Sequence, residues 1–205
     1  MAWLYTYDLY NASRGRVAPA CEPIAGSILN LPGFAAGKIQ KTGPLFGVYC
    51  TREEILAVIG QWQDIVRQFS GEAGPYPGGG TYKGAFWRVL VADMVAEGMN
   101  EEATRKIAYR RAREDDEAQC RENWGALDIR ARGKILIVTD NVMIGLGPAE
   151  AEVSDDVYVL FGGRMPFVLR STDKGLQFIG QAYIHGIMDG EIIDKAQEAS
   201  WVSLT

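Results

Sequence analysis

Histidine is nearly absent from this sequence: His185 is the only one in 205 residues. Zinc sites of the HExxH type, two-histidine facial triads and C2H2 fingers each need at least two, so all are excluded. Cysteine is scarce as well. Cys21, Cys50 and Cys120 are odd in number, widely spaced and contain no CxxC pair. That pattern points to a reducing compartment, the cytoplasm, and not to a secreted disulfide framework. No apolar run approaches the roughly 20 residues needed to cross a bilayer. The opening MAWLYTYDLYNAS has no basic n-region, so neither a membrane partner nor a signal peptide is expected. An excess of basic residues is also lacking: Lys+Arg is 21 against Asp+Glu 26, a net charge of −5. Nucleic acid is therefore not the expected partner, because neutralising phosphates needs cations.

Cofactor motifs are missing too. Ala25 stands where a GxSxG elbow around Ser27 would need its first glycine. Pro32 and Ile39 break a phosphate-binding loop at Gly37-Lys38. Gly145-Leu146-Gly147 opens like a dinucleotide fingerprint, but Pro148 and Glu150 end it. The expectation is chemistry or binding without a cofactor.

What is present is an ordinary globular composition, 47% apolar and 23% charged, of a length that suits one domain, residues 1–205. Ser27–Leu31 and Lys38–Lys41 read as short strands, separated by a turn at Pro32-Gly33 and closed by Gly43-Pro44. Thr51-Arg52-Glu53-Glu54 is a capping box. Ile55, Val58, Ile59, Trp62, Ile65, Val66 and Phe69 follow at helical spacing, with Gly71 as the stop. Residues 70–83 are a glycine- and proline-rich loop, either a tether or lid, or a phosphate cradle ahead of a helix. A helix is expected over 84–97, ended by Gly98. The alternating charges of 100–124 predict a long polar helix with i,i+4 pairs Arg110–Glu114, Arg111–Asp115 and Arg113–Glu117. From 134 to 184 short apolar runs recur at about ten-residue spacing with glycine at the corners, including a hairpin turning at Asp140-Asn141. The fold class is α+β: a small antiparallel β-barrel or curled sheet, with strands from 27–41 and 134–184 and a helical insertion, 51–124, packed on one side.

Several blocks then occur in a characteristic order. They are Ile144-Gly145-Leu146-Gly147-Pro148, Val157 to Gly163, Pro166 to Arg170, and above all Tyr183-Ile184-His185-Gly186-Ile187-Met188-Asp189-Gly190-Glu191. With Tyr10 to Ser13, Leu31 to Gly43 and Ala85-Phe86-Trp87-Arg88, they make most of the chain resemble the C-terminal region of fungal heterokaryon-incompatibility (HET domain) proteins. The resemblance implies a fungal source and a cytosolic setting. In that family cell death is attributed to an N-terminal HET domain related to TIR domains. The resemblance starts near Met1, so that effector is expected to be absent, and no catalytic residue carries over. Ser154-Asp155-Asp156 replaces the family's usual Gly-Asp turn.

Two functions follow. The first is a non-catalytic module that binds an apolar small molecule or a protein partner. The second is a cofactor-free cyclase, isomerase or Diels–Alder-type enzyme of fungal specialised metabolism, working by proximity and a few hydrogen bonds. For the enzyme, the catalytic candidates are His185, Asp189 and Asp93. Asp189 would orient His185 as a general base; alternatively, Asp189 and the flanking glycines cap a turn while His185 bonds to backbone. Trp87, Arg88, Phe167, Arg170 and Tyr183 would line an apolar, aromatic pocket; core packing explains the aromatics equally well. Arg164 and Arg170 flank a strand and would suit a carboxylate or sit as surface charge.

Overall fold

A computed structural model describes residues 7–19, 29–70, 74–99, 107–113, 115–118, 130–195 and 198–205. Its central feature is one long strand, β1 (Leu29–Phe46), which serves two halves of a curled sheet. The remaining strands are β2 (Met94–Met99), β3 (Ile107–Arg111), β4 (Lys134–Thr139), β5 (Ile144–Pro148), β6 (Asp156–Leu160), β7 (Phe167–Thr172), β8 (Gly175–Gln181), β9 (Tyr183–Ile184) and β10 (Ser200–Leu204). Eight of them form a sheet in the order β10-β8-β7-β6-β1-β4-β5-β9, and β10 also pairs with β1. The circuit β10-β8-β7-β6-β1 is therefore closed. Its seam is thin, a single parallel register pair between Leu204 and Leu176, so the result is a curled sheet and not a perfect barrel.

The sequence between 29 and 46 was expected to turn at Pro32-Gly33 and stop at Gly43. Instead it runs on as one strand with register shifts at Ala35/Gly37, Ile39/Lys41 and Thr42/Leu45. Close packing accounts for the glycines. A Cβ on Gly43 would fall 2.6 Å from the Trp62 ring, and one on Gly33 would fall 2.9 Å from the Val159 carbonyl. They are contact points within a bent strand, not breaks in it. Ser27 and Ile28 lie outside the described residues.

Helix α1 (Arg52–Ser70) starts at the expected capping box: the Thr51 amide donates to Glu54 Oε2 at 2.8 Å and the Glu54 amide to Thr51 Oγ1 at 3.3 Å. Its stripe buries Ile55, Trp62 and Val66 in the main core. Trp62 Nε1 donates to the Pro44 carbonyl at 2.9 Å, which ties the helix to β1. That core lies between the helices and one face of the sheet. On the other face, Leu31, Leu160, Phe167, Leu169, Leu176, Val202 and Leu204 form a separate cluster. They come from all five strands of the closed circuit, so they fill its interior.

The expected helix 84–97 ends early. Helix α2 (Tyr82–Leu90) is capped at its start by Thr81 Oγ1, which accepts from the Gly84 amide at 3.1 Å. At its end the Asp93 amide donates to the Arg88 carbonyl and the Ala92 amide to that of Val89. This is a Schellman closure, with Ala92 (φ 49°) and Asp93 (φ 53°) both left-handed. Gly98, expected as the helix stop, lies inside β2.

The expected polar helix is also overturned over 107–111, which is β3, antiparallel to β2 with Met94 opposite Arg111. Two guanidiniums that a helix would spread around its surface are drawn here to fixed carboxylates instead. Arg110 takes Asp116 at 2.6 Å, and Arg111 takes Asp93 at 3.2 Å rather than Asp115. Residues 100–106, 114 and 119–124 of that expected helix, and its stop at Gly125, lie outside the described residues. A short helix, α3 (Glu191–Lys195), and strand β10 complete the chain; neither was expected.

Candidate functional site

The glycine-rich loop delivers the first site residue. Tyr76 N donates to the Gly80 carbonyl at 3.0 Å and Gly79 N to that of Tyr76 at 2.9 Å. These two amides are thus spent on the loop itself. Gly78 packs against Gly186, where a Cβ would fall 2.9 Å from the Gly186 Cα. So pinned, the loop drives the Tyr76 ring inward. Its hydroxyl donates to the His185 carbonyl at 2.8 Å and accepts from the Ile144 amide at 3.0 Å.

His185 follows directly from β9. Its ring lies 5.4 Å from that of Tyr76, and its Nδ1 is 2.9 Å from the Tyr183 hydroxyl. Burial lowers its pKa to about 4, and the nearby Arg88 and Arg111 charges push the same way. Tyr183 is fully buried, and its phenol is pushed far above the usual range. The phenol therefore keeps its proton beside a neutral imidazole.

Beside this pair lies an ionic cluster. Asp93, 5% exposed, sits at the Schellman closure of α2. Arg88 Nη1 reaches it at 2.5 Å and Arg111 Nε at 3.2 Å. Arg88 also donates to the Ala112 carbonyl at 2.7 Å and stacks on Trp87, with Cζ 5.1 Å from the ring centre. Burial pushes the Asp93 carboxyl up against the pull of both arginines. Arg111 bonds Asp189 as well, and its guanidinium lies 5.0 Å over the ring of Tyr10. Tyr10 donates to the Ala92 carbonyl at 2.5 Å. Burial likewise pushes its phenol up.

The fold thus gathers five of the residues singled out from sequence: Asp93, Arg88, Tyr183, His185 and Asp189, with Trp87 beside Arg88. Asp189 does not take the orienting position on His185; its carboxylate is on Arg111, and its amide donates to Glu191 at 2.8 Å at the start of α3. Phe167 and Arg170 lie elsewhere. Phe167 packs against the strand-circuit cluster and touches the exposed Phe178, with ring centres 5.6 Å apart. Arg170 grips Asp155 through Nε at 2.8 Å and Nη2 at 2.9 Å, and the Glu150 carbonyl at 2.7 Å. That grip holds the turn at Ser154-Asp155-Asp156. Arg164 meets Asp8 at 2.8 Å on the surface.

Tyr10, Arg111 and Arg130 were missed as site residues. No local pattern marks them: each is isolated in its own segment, and only the β2–β3 pairing and the Tyr10 turn bring them together. A groove of about 340 Å³ runs along Tyr10, Asn11, Ser13, Arg16, Gly162 and Arg164. Its lining is mostly polar, unlike the expected aromatic pocket. Among the described residues, no three His, Cys, Asp or Glu side chains gather as a metal site would need. Among them, too, no helix is long and apolar enough to cross a membrane.

Comparison with known proteins bears on the same region. The family described as the Het-6 beta-barrel domain matches residues 89–202. Heterokaryon incompatibility protein 6, OR allele, of Neurospora crassa is 38% identical over 69 residues, covering 32% of this chain. That stretch is 10% of the Neurospora protein. No solved structure matches.

Proposed function

Starting from a chain that belongs to the Het-6 beta-barrel domain family, matched over residues 89–202 of 205, we propose that it is a binding module of the heterokaryon-incompatibility type, working by recognition and not by catalysis. One observation carries this reading: every sequence-named acid or base is already committed within the fold. His185 is held neutral against Tyr183, Asp93 lies between two arginines, and Asp189 is paired with Arg111. A general base needs a pKa near the working pH and a free lone pair. A histidine lowered to about 4 lacks the first, and both carboxylates are engaged by arginines.

The partner in this reading is a small molecule or a protein met in the cytoplasm. The name of the Neurospora crassa relative associates that protein with heterokaryon incompatibility, and the same broad role is taken for this chain. Small-molecule extract from a fungal culture, incubated with the purified protein, tests the reading. Melting temperature and the mass profile of the extract are followed together. A rise in Tm with unchanged masses is expected. A new product whose formation slows in His185→Gln would overturn recognition in favour of a cofactor-free enzyme.

A further inference from the structure

We propose that the chain holds one small oxyanion, a phosphate or carboxylate, between Arg130 and the Nη1 edge of Arg111. This deepens the reading of the chain as a binding module and rests on it.

Arg130 is 7% exposed. Its contacts are the Met94 thioether, with Nη1 3.1 Å from Sδ, and the Tyr109 side chain, with Cζ 4.3 Å from the ring centre. A thioether is a weak acceptor and an aromatic face carries no net charge. Among the described residues no carboxylate pairs with it. An arginine does not escape by losing its proton, so among the described residues a full charge is buried without a counter-charge. Such an arrangement is costly unless something of opposite sign arrives.

The second observation is independent. Nη1 of Arg111 is buried and has no hydrogen-bond partner among the described residues, although Nε and Nη2 of the same group are paired. The pairing of β2 with β3 puts the two observations together. Met94 lies opposite Arg111, and Tyr109 is two residues from Arg111 on the same strand. Met94, Tyr109 and Arg111 thus share one face of the strand pair, and Arg130 lies across that face. Both guanidinium charges also act on the Tyr10 hydroxyl. Local charge agrees: among the described residues Arg88, Arg111 and Arg130 face Asp93 and Asp189, which leaves one positive charge over.

Guanidinium forks suit planar or tetrahedral oxyanions, to which they present paired N–H donors. Depth sets the size of the ligand. A side chain 7% exposed is out of reach of a macromolecular surface, whereas a free small ion fits.

Titration calorimetry of the full chain with sodium phosphate, and separately with sodium acetate, tests the site; the two salts tell phosphate from carboxylate. One site per chain is expected for at least one of them. At a hundredfold excess over Kd the Tm rises by about 5 to 10 °C. Arg130→Met removes both the heat and the anion-dependent rise, and the ligand-free variant melts no lower than the wild type. Arg130→Lys, which keeps the charge but loses the fork, weakens binding by about tenfold. Equal Tm rises in wild type and Arg130→Met would overturn the site as a general salt effect. So would a ligand-free Arg130→Met that melts lower or fails to fold, because the guanidinium would then have its partner inside the protein. Extract-induced stabilisation that survives in Arg130→Met sinks this site alone; product formation from the extract sinks the module reading instead.

Discussion

The Tyr183 hydroxyl and His185 Nδ1 lie 2.9 Å apart, and burial sets the protonation of both. Tyr183 keeps its proton, and His185, lowered to about 4 by burial and by the Arg88 and Arg111 charges, stays neutral. The unfolded chain takes up a proton near 6.5, but the folded one does not until about 4. This contribution to stability is therefore complete above pH 6.5 and is lost progressively as pH falls toward 4. The loss over that window is up to about 3 kcal/mol. With a single histidine in the chain, one imidazole resonance reports it. It should show no titration between pH 5.5 and 8, and urea midpoints of His185→Gln should depend less on pH below 6.5. An imidazole titrating near 6.5 in the folded protein would refute the arrangement.

Tyr10 is expected to clamp a strained turn. Its hydroxyl meets the carbonyl of Ala92, which is fully buried and left-handed at φ 49°. Left-handed backbone costs a residue with a Cβ about 1 to 2 kcal/mol. Tyr10→Phe leaves the carbonyl buried without its donor, and should lower unfolding free energy by about 1 to 3 kcal/mol. Ala92→Gly removes the strain but also buries less, so its change should stay within about 1 kcal/mol. Chemical denaturation of both variants checks the pair; a neutral Tyr10→Phe would mean the bond is not made.

The elements that could be read from sequence were those with a local cause. The capping box at Thr51 and the apolar stripe to Phe69 specify α1 without help from the rest of the chain. Strand runs such as KILIVT and VYVLF carry their own branched and aromatic pattern. Residues 107–111 failed because alternating charge satisfies a helix face as readily as it satisfies fixed distant partners, and Asp93 and Asp189 were invisible to a local reading. Gly33 and Gly43 failed for a similar reason. A glycine that admits Leu160 or Trp62 looks the same in sequence as one that makes a turn. The Tyr183–Glu191 block was recognisable, yet its partners Tyr10, Tyr76 and Arg111 lie in segments whose approach only the sheet topology decides.

Asp93 and Asp189 share Arg111 but should differ sharply in weight. The Asp93 side chain is 7% exposed and serves two arginines, while that of Asp189 is 51% exposed. Asp93→Asn leaves the largely buried Arg88 guanidinium without its carboxylate, beside an Arg111 that keeps Asp189. The expected loss is about 3 to 5 kcal/mol, the range for breaking a buried pair. Asp189→Asn breaks a solvent-screened pair and should cost under about 1 kcal/mol. Equilibrium urea unfolding separates them, and equal losses would show that burial does not rank these ion pairs.

Arg170 was read from sequence as a ligand contact, and its geometry predicts a stability phenotype of a particular kind. Two nitrogens of one planar group meet both oxygens of Asp155, whose side chain is 3% exposed, while the guanidinium also takes the Glu150 carbonyl. Glu152, at 69% exposure, adds little in solvent. Arg170→Ala strands the Asp155 carboxylate and should cost about 2 to 3 kcal/mol, the buried-pair range discounted for the 28% exposure of Arg170. Arg170→Lys restores the charge but not the fork, so it should recover less than half of that loss. Calorimetric unfolding of the two variants checks the order. Full recovery in Arg170→Lys would mean that charge alone holds the turn at Ser154-Asp155-Asp156, and unchanged stability in Arg170→Ala would free Arg170 for the ligand role first assigned to it.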